Sequence, residues 1–508
     1  MKNLIGVDIG TTGAKSVLIN ERGKVLASDF REYPLSLPKP GWAEQNPEDW
    51  WAATVVSLRN LLAKSGVSAR SLEGISFSGQ MHGLVCLDDG FRVLRPAILW
   101  CDTRTTAECR LIEQKLGGRA KLISLASNPA LEGFTLPKLL WVRRNEPATY
   151  RKICHIMLPK DYVRFRLTGA LGMDMSDAAG TLMLDVRRKR WSREILAGLE
   201  IDSAILPLLA ESPDIAGSVT PQAAAETGLP VGLPVAFGGA DNTCAAVGNG
   251  VIREGIVAVS IGTSGTVVAP TERAVRDKLG RVHTFNHSVP GLWYAMGCMQ
   301  AAGLSLKWLR DTFGGLERAM ASQTGIDAYE FLTAGAADVP PGAEGLIWLP
   351  YLNGERTPHL DANARGVLYG ITPRHTRAHV ARAILEGVVF GLRDGLEIIR
   401  GLKIPIGEIR LTGGGARSPL WRQIQADVFR QQVVTINVEE GPAFGAAIIA
   451  GVGTGVFPSF DEATRRVIRV TGVVKPNQRS ADAYERAYRL FRELYTDLKG
   501  TFARTARA

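Results

Sequence analysis

The chain has 508 residues, 45% of them hydrophobic and 22% charged, which supplies a large buried core and excludes a disordered polypeptide. Its 60 Lys and Arg against 50 Asp and Glu leave a net charge of +10, spread so evenly that no segment reads as a nucleic-acid-binding arm. No run approaches the roughly 18 uninterrupted apolar residues of a membrane span, so neither nucleic acid nor membrane is an expected partner.

Lys2 leads into a short apolar run that meets Asp8 before a signal-peptide core can form, so the chain is expected to start at Met1 and to be cytoplasmic. Residues 3–17 then read as an apolar strand (LIGVDIG), a Gly/Thr turn (TTGAK) and a second strand (SVLIN), closed by a turn at Asn20-Glu21-Arg22-Gly23. Residues 50–64 have helical spacing, residues 72–78 read as a buried strand, and residues 105–116 read as another helix, the alternation of an α/β protein. The strand-like Val235-Ala236-Phe237 precedes Gly238-Gly239-Ala240-Asp241-Asn242, and the small-residue run through Gly248 suits a crossing helix.

The hairpin GVDIGTTGAKSVLI recurs at residues 256–268 as IVAVSIGTSGTVV. Such an echo implies two homologous halves, with the boundary placed near Asn249: residues 1–248 and residues 249–508. A third glycine turn, TGGGARS, follows the strand-like 409–412 and leads into a helix expected over 420–433. A fourth, GPAFGAA, opens another helix at Gly441. The tail beyond Ala481 carries Tyr484, Tyr488, Phe491, Tyr495 and Leu498 at helical spacing, a stripe that reads as packing.

Six cysteines with no CxxC pair point to reduced, mostly buried thiols, and no HExxH or EF-hand pattern occurs, so any metal is expected to arrive with a substrate. A strand-turn-strand tip rich in Gly and Thr gathers backbone N–H groups into a nest that suits phosphate oxygens; alone it is equally a tight turn. Asp8 beside the first tip would repel phosphate unless a divalent cation lay between them, which makes it a candidate Mg²⁺ partner through water, or else a hairpin cap. Asp241 at a strand end could take a proton from a substrate hydroxyl or only cap the following helix. SGQMHG (residues 78–83) and Trp100-Cys101-Asp102 also end apolar runs; His82 alone reads as structural, and Trp100 as either core or a sugar platform.

These segments, with WAEQNPEDWW, LPKDYVRFRLTG, DMSDAAGT and LPYLNGERTPH, resemble the FGGY family of carbohydrate kinases. The resemblance implies two ribonuclease H-like domains, of the actin and hexokinase type, flanking an active-site cleft, with sugar binding and the base in the first and ATP mainly on the second. It further implies ATP-dependent phosphorylation of D-xylulose at its C5 hydroxyl, Asp241 as general base and Asp8 as the residue that helps to hold Mg²⁺. Met81, His82, Asn242, Gln80, Trp100 and Asp102 are then the expected sugar contacts. Gly10, Thr11, Thr12, Gly13, Gly262, Thr263, Ser264, Gly303, Lys307, Gly414, Gly415 and Ser418 are the expected nucleotide contacts. A homodimer is a family-based expectation. Where the family commonly has Trp-Asn-Asp this chain has Cys101 in the middle, one amide fewer. Another pentulose or a polyol is the alternative acceptor, and an acceptor-free ATPase of the actin or chaperone type is the alternative class.

Overall fold

The computed structural model describes residues 2–438 and 440–505. The chain forms two compact units: residues 1–253 with 270–294 and 438–469, and residues 254–269 with 295–437 and 470–508. Both are α/β. Among the described residues no helix is long and apolar enough to cross a membrane. All six cysteines are free, three buried and three partly buried.

In the first unit Asn3–Ile9 pairs antiparallel with Gly13–Asn20, which pairs antiparallel with Val25–Glu32. On its other side Asn3–Ile9 runs parallel to Leu72–Gly79, and Pro234–Ala236 and Gly239–Ala240 run parallel to that strand in turn. The central strands Asn3–Ile9 and Leu72–Gly79 are buried almost throughout because both faces of the sheet are covered there, whereas the edge strand Val25–Glu32 is largely open. Ile5, Val7, Ile9, Leu58, Leu61 and Phe77 lie in one buried cluster, and each such side chain removed from water contributes about 1.5–3 kcal/mol. The helix Pro47–Ser65 starts where Pro47 supplies a pre-set φ and Asn46 accepts the Glu48 N–H.

The second unit repeats this plan, as the internal echo requires. Gly255–Ile261 pairs antiparallel with Gly265–Thr271 and parallel with Ile406–Thr412, followed by Val433–Ile436. The helix expected over 420–433 spans only Pro419–Phe429. Arg430 turns left-handed at φ 55°, and the β-branched Val433-Val434-Thr435-Ile436 forms a strand instead. In the helix Gln478–Thr505 the tyrosine stripe packs inward as expected: Tyr484 accepts from Arg382, Tyr488 donates to Asp394 at 2.6 Å, and Phe491 lies 5.5 Å from Phe390.

The small-residue run Asp241–Gly248 is a helix, and it crosses Gly441–Gly453 within the first unit. A Cβ at Gly445 would stand 1.8 Å from the Cys244 carbonyl oxygen, so this crossing exists only with glycine there.

Candidate active site

The strand register brings three chemical groups abreast at the carboxyl ends of parallel strands: Asp8 opposite Ser78, and Ser78 opposite Gly239. Such strand ends are where open α/β sheets place ligands. Ser78 Oγ donates to Asp8 Oδ1 at 2.7 Å. Lys15, across the hairpin from Asp8, pairs with Glu440 at 2.6 Å. Burial raises the Asp8 carboxyl, opposed by the Ser78 hydrogen bond and then by the Lys15 charge.

Between Pro234–Ala236 and Gly239–Ala240 the chain bends through Gly238 at φ 79°, where a Cβ would lie 1.9 Å from the Phe77 carbonyl oxygen. Only glycine passes so close, and the bend delivers Asp241 to the start of a helix. Asp241 Oδ1 accepts the Asn242 N–H at 2.6 Å, so the capping-type contact is present. Burial, followed by repulsion from the Asp8 carboxylate, nevertheless pushes its pKa up to about 7, the Asn242 amide opposing. A carboxylate tuned to neutrality is poised both to take and to give a proton. Asn242 Nδ2 reaches Met81 Sδ at 3.6 Å. His82, at φ 70°, sets Nδ1 2.6 Å from the Gly180 carbonyl oxygen and its ring edge-on to Phe134. The expected sugar contacts Met81 and Asn242 are thus joined beside Asp241.

The first glycine hairpin is braced from beneath. Gly10 N–H donates to Gly13 O at 3.0 Å, and Tyr33 OH donates to Gly10 O. Gln80, buried, donates to Gly10 O at 3.2 Å and accepts from Thr11 Oγ1 at 3.2 Å. Thr11 Oγ1 also accepts the Trp100 indole N–H at 2.9 Å. Gln80 is therefore a strut of the hairpin tip. Trp100 is 39% exposed, a platform rather than core, while Thr12 is exposed at the tip. Asp102 is buried and turned away: its oxygens take the Ala43 N–H at 2.6 Å and the Arg104 guanidinium at 2.7 Å.

In the second unit the corresponding tip holds Gly262, Thr263 and Ser264, with Gly262 N–H donating to Ser264 O at 2.9 Å. Gly303, which opens the helix Gly303–Phe313, donates its N–H to Gly262 O at 2.8 Å, and Ala302 and Leu304 both donate to Thr263 O at 3.1 Å. Gly414 and Gly415 form a short helical turn beyond the strand Ile406–Thr412, beside Ile261 at the end of its neighbour. Ser418 accepts the Trp421 N–H at 3.3 Å as the cap of the next helix. Lys307 is ion-paired with Asp311 one helical turn on.

The charges of LPKDYVRFRLTG and DMSDAAGT had no role assigned by spacing. The structure buries them together: Lys160 Nζ lies 2.7 Å from Asp161, 2.7 Å from Asp174 and 3.0 Å from Asp177. These carboxylate oxygens lie within 4.8 Å of one another, the spacing of a cation site, and the lysine ammonium is the cation that holds them.

The FGGY family of carbohydrate kinases matches this chain twice, its N-terminal domain over residues 3–248 and its C-terminal domain over residues 257–454. The chain is 44% identical over 499 residues to the xylulose kinase of Bacillus subtilis (strain 168), covering 98% of each. It is 42% identical to the xylulose kinase of Lactococcus lactis subsp. lactis (strain IL1403), covering 97% of each. The crystal structure of xylulose kinase from Rhodospirillum rubrum superposes with a TM-score of 0.90 at 33% identity, over 99% of this chain and 100% of that one. The duplicated α/β hairpins and these matches agree: the chain is an enzyme of the FGGY family of carbohydrate kinases.

Proposed function

We propose that the protein transfers the γ-phosphoryl group of ATP to the C5 hydroxyl of D-xylulose, giving D-xylulose 5-phosphate and ADP. The observation that carries this reading is Asp241, a carboxylate held at neutrality beside Met81 and Asn242, together with the xylulose kinases among the relatives. Asp241 accepts the hydroxyl proton as the oxygen attacks phosphorus in line, and a base of this kind contributes about 10²–10⁴-fold. Met81, His82, Asn242 and Trp100 bind the sugar. Gln80 acts through the hairpin tip, and Asp102 orients Arg104, so both support that surface from behind.

At the tip shaped by Gly10 and Gly13 in residues 1–248, Thr11 and Thr12 offer main-chain N–H groups to the phosphates, and at the tip shaped by Gly262 and Gly303 in residues 249–508, Thr263 and Ser264 do the same. Gly414, Gly415 and Ser418 take the adenosine side, and Lys307 leaves Asp311 to meet a phosphate. Asp8 and Asp241 present hard carboxylate oxygens that repel each other, a donor set that fits Mg²⁺. When bound there with ATP the ion would neutralise phosphate charge, Asp8 being the residue that holds it. The need for ATP places the reaction in the cytoplasm.

The test is a coupled ATP-consumption assay with Mg²⁺ and D-xylulose, D-ribulose, L-ribulose, L-xylulose, glycerol, xylitol or D-arabitol. D-xylulose is expected to give the highest kcat/KM. A different best acceptor moves the reading to that pentulose or polyol, and undiminished turnover without any sugar overturns it in favour of an ATPase.

A further inference from the structure

The helix that opens at Asp241 has no side-chain cap from its N-cap residue. Its N-cap residue is Ala240, which has no side-chain oxygen to offer the first helical amides. Two hydroxyls hold the turn instead, Ser176 from a separate segment and Thr243 from the helix itself. Ala240 N–H donates to Ser176 Oγ at 2.9 Å, and Thr243 Oγ1 donates to Ala240 O at 2.9 Å. The two peptide groups that flank the Ala240 α-carbon, immediately before Asp241, are therefore both tied.

Ser176 O–H donates to Asp174 Oδ2, and its oxygen accepts the Ala240 N–H. Thr243 Oγ1 also lies 3.3 Å from Ser176 Oγ and 2.5 Å from Ser288 Oγ, a contact that either hydroxyl can donate. Asp174 is in turn held on its other oxygen by Lys160 at 2.7 Å. Asp174, Ser176, Thr243 and Ser288 are all fully buried, and in such a dry setting each hydrogen bond is strengthened and the loss of one is costly.

We propose that Ser176, oriented by Asp174 and through it by Lys160, is a positioning residue for phosphoryl transfer: with Thr243 it clamps the Ala240 peptides and so sets the direction of the Asp241 carboxylate. The clamp acts through the Ala240 backbone; it rests on the reading of Asp241 as the base. Misplacement of a reacting group by about 1 Å costs on the order of 10²-fold in rate, which sets the scale of the effect.

Ser176→Ala is expected to lower kcat with D-xylulose by about tenfold or more while leaving the KM for ATP unchanged, because the nucleotide loops of the second unit are untouched. The readout that separates positioning from plain stability is a double-mutant cycle with Asp241→Asn. With the base removed its direction no longer matters, so adding Ser176→Ala should leave the residual kcat of D241N unchanged. Thr243→Val, nearly isosteric, loosens the same turn from the carbonyl side and replaces S176A if that variant does not fold; it is expected to act in the same sense. A folded S176A with parental kcat, or an equal loss of kcat in both backgrounds, overturns the clamp alone. A D241N protein as active as the parent overturns the base and the clamp together.

Discussion

Replacing Asp241 by asparagine is expected to give a protein that is more stable than the parent at about pH 8 and about 10²–10⁴-fold slower in phosphoryl transfer. Both effects come from one cause. Burial and the Asp8 charge lift the Asp241 carboxyl from 3.8 to about 7 in the folded chain, so between these values the native state holds a proton that the unfolded chain has released. Stability therefore falls as pH rises through this interval and has been lost in full above the folded pKa. Asparagine retains the acceptor oxygen for the Asn242 N–H and never ionises, so it removes that penalty, on the order of 2 kcal/mol after allowance for partial exposure. It also removes the basic lone pair that takes the hydroxyl proton. Thermal melts at about pH 5 and pH 8 should show a D241N advantage that is clearly larger at the higher pH, and parental kcat should fall as pH drops below about 7. A variant less stable than the parent at the higher pH would contradict this account of the site's electrostatics.

The second large effect is on stability. Lys160→Met is expected to cost about 3–5 kcal/mol, because it leaves the carboxylates of Asp161, Asp174 and Asp177 buried without their cation. Arg164, 3.9 Å from Asp161, is too far to replace it. Burial already raises the carboxyls of Asp161 and Asp177, with the Lys160 charge as the leading opposing influence. Without Lys160 they should rise further, so the deficit should shrink as pH is lowered and they take up protons. Adding Asp177→Asn should recover part of the loss, a non-additivity measurable by urea denaturation of the two single variants and the double. Additive losses would mean that the three acids are held by something other than the ammonium.

Much of the architecture was legible because the signals are local. Apolar runs broken by Gly-Thr turns gave both hairpins, helical spacing over residues 50–64 gave the body of the helix that Pro47 begins, and the repeat of one hairpin foretold the repeated sheet. The helix placed over 420–433 overran because apolar residues in a short run fit either period, and Arg430 turns the chain before the β-branched residues begin. Sequence order did not foretell that residues 438–469 belong to the first unit, since the packing of Gly445 on the Cys244 carbonyl depends on tertiary contact. At the site, glycines and the acid at a strand end were visible as types in a pattern. The struts were not: Gln80 and Asp102 look like free polar groups until their partners Gly10 and Arg104 are seen. Lys160 and Asp174, on a helix and a strand respectively, look like solvated charges until they are seen 2.7 Å apart in the interior.

The most direct test of the central claim is to follow the phosphorus. A ³¹P NMR spectrum of the purified protein with ATP, Mg²⁺ and D-xylulose labelled with ¹³C at C5 should show the γ-phosphoryl signal replaced, mole for mole, by a sugar phosphate ester coupled to the labelled carbon. Release of inorganic phosphate without an ester, or an ester on another carbon, would contradict the assignment of Asp241 as the base for the C5 hydroxyl.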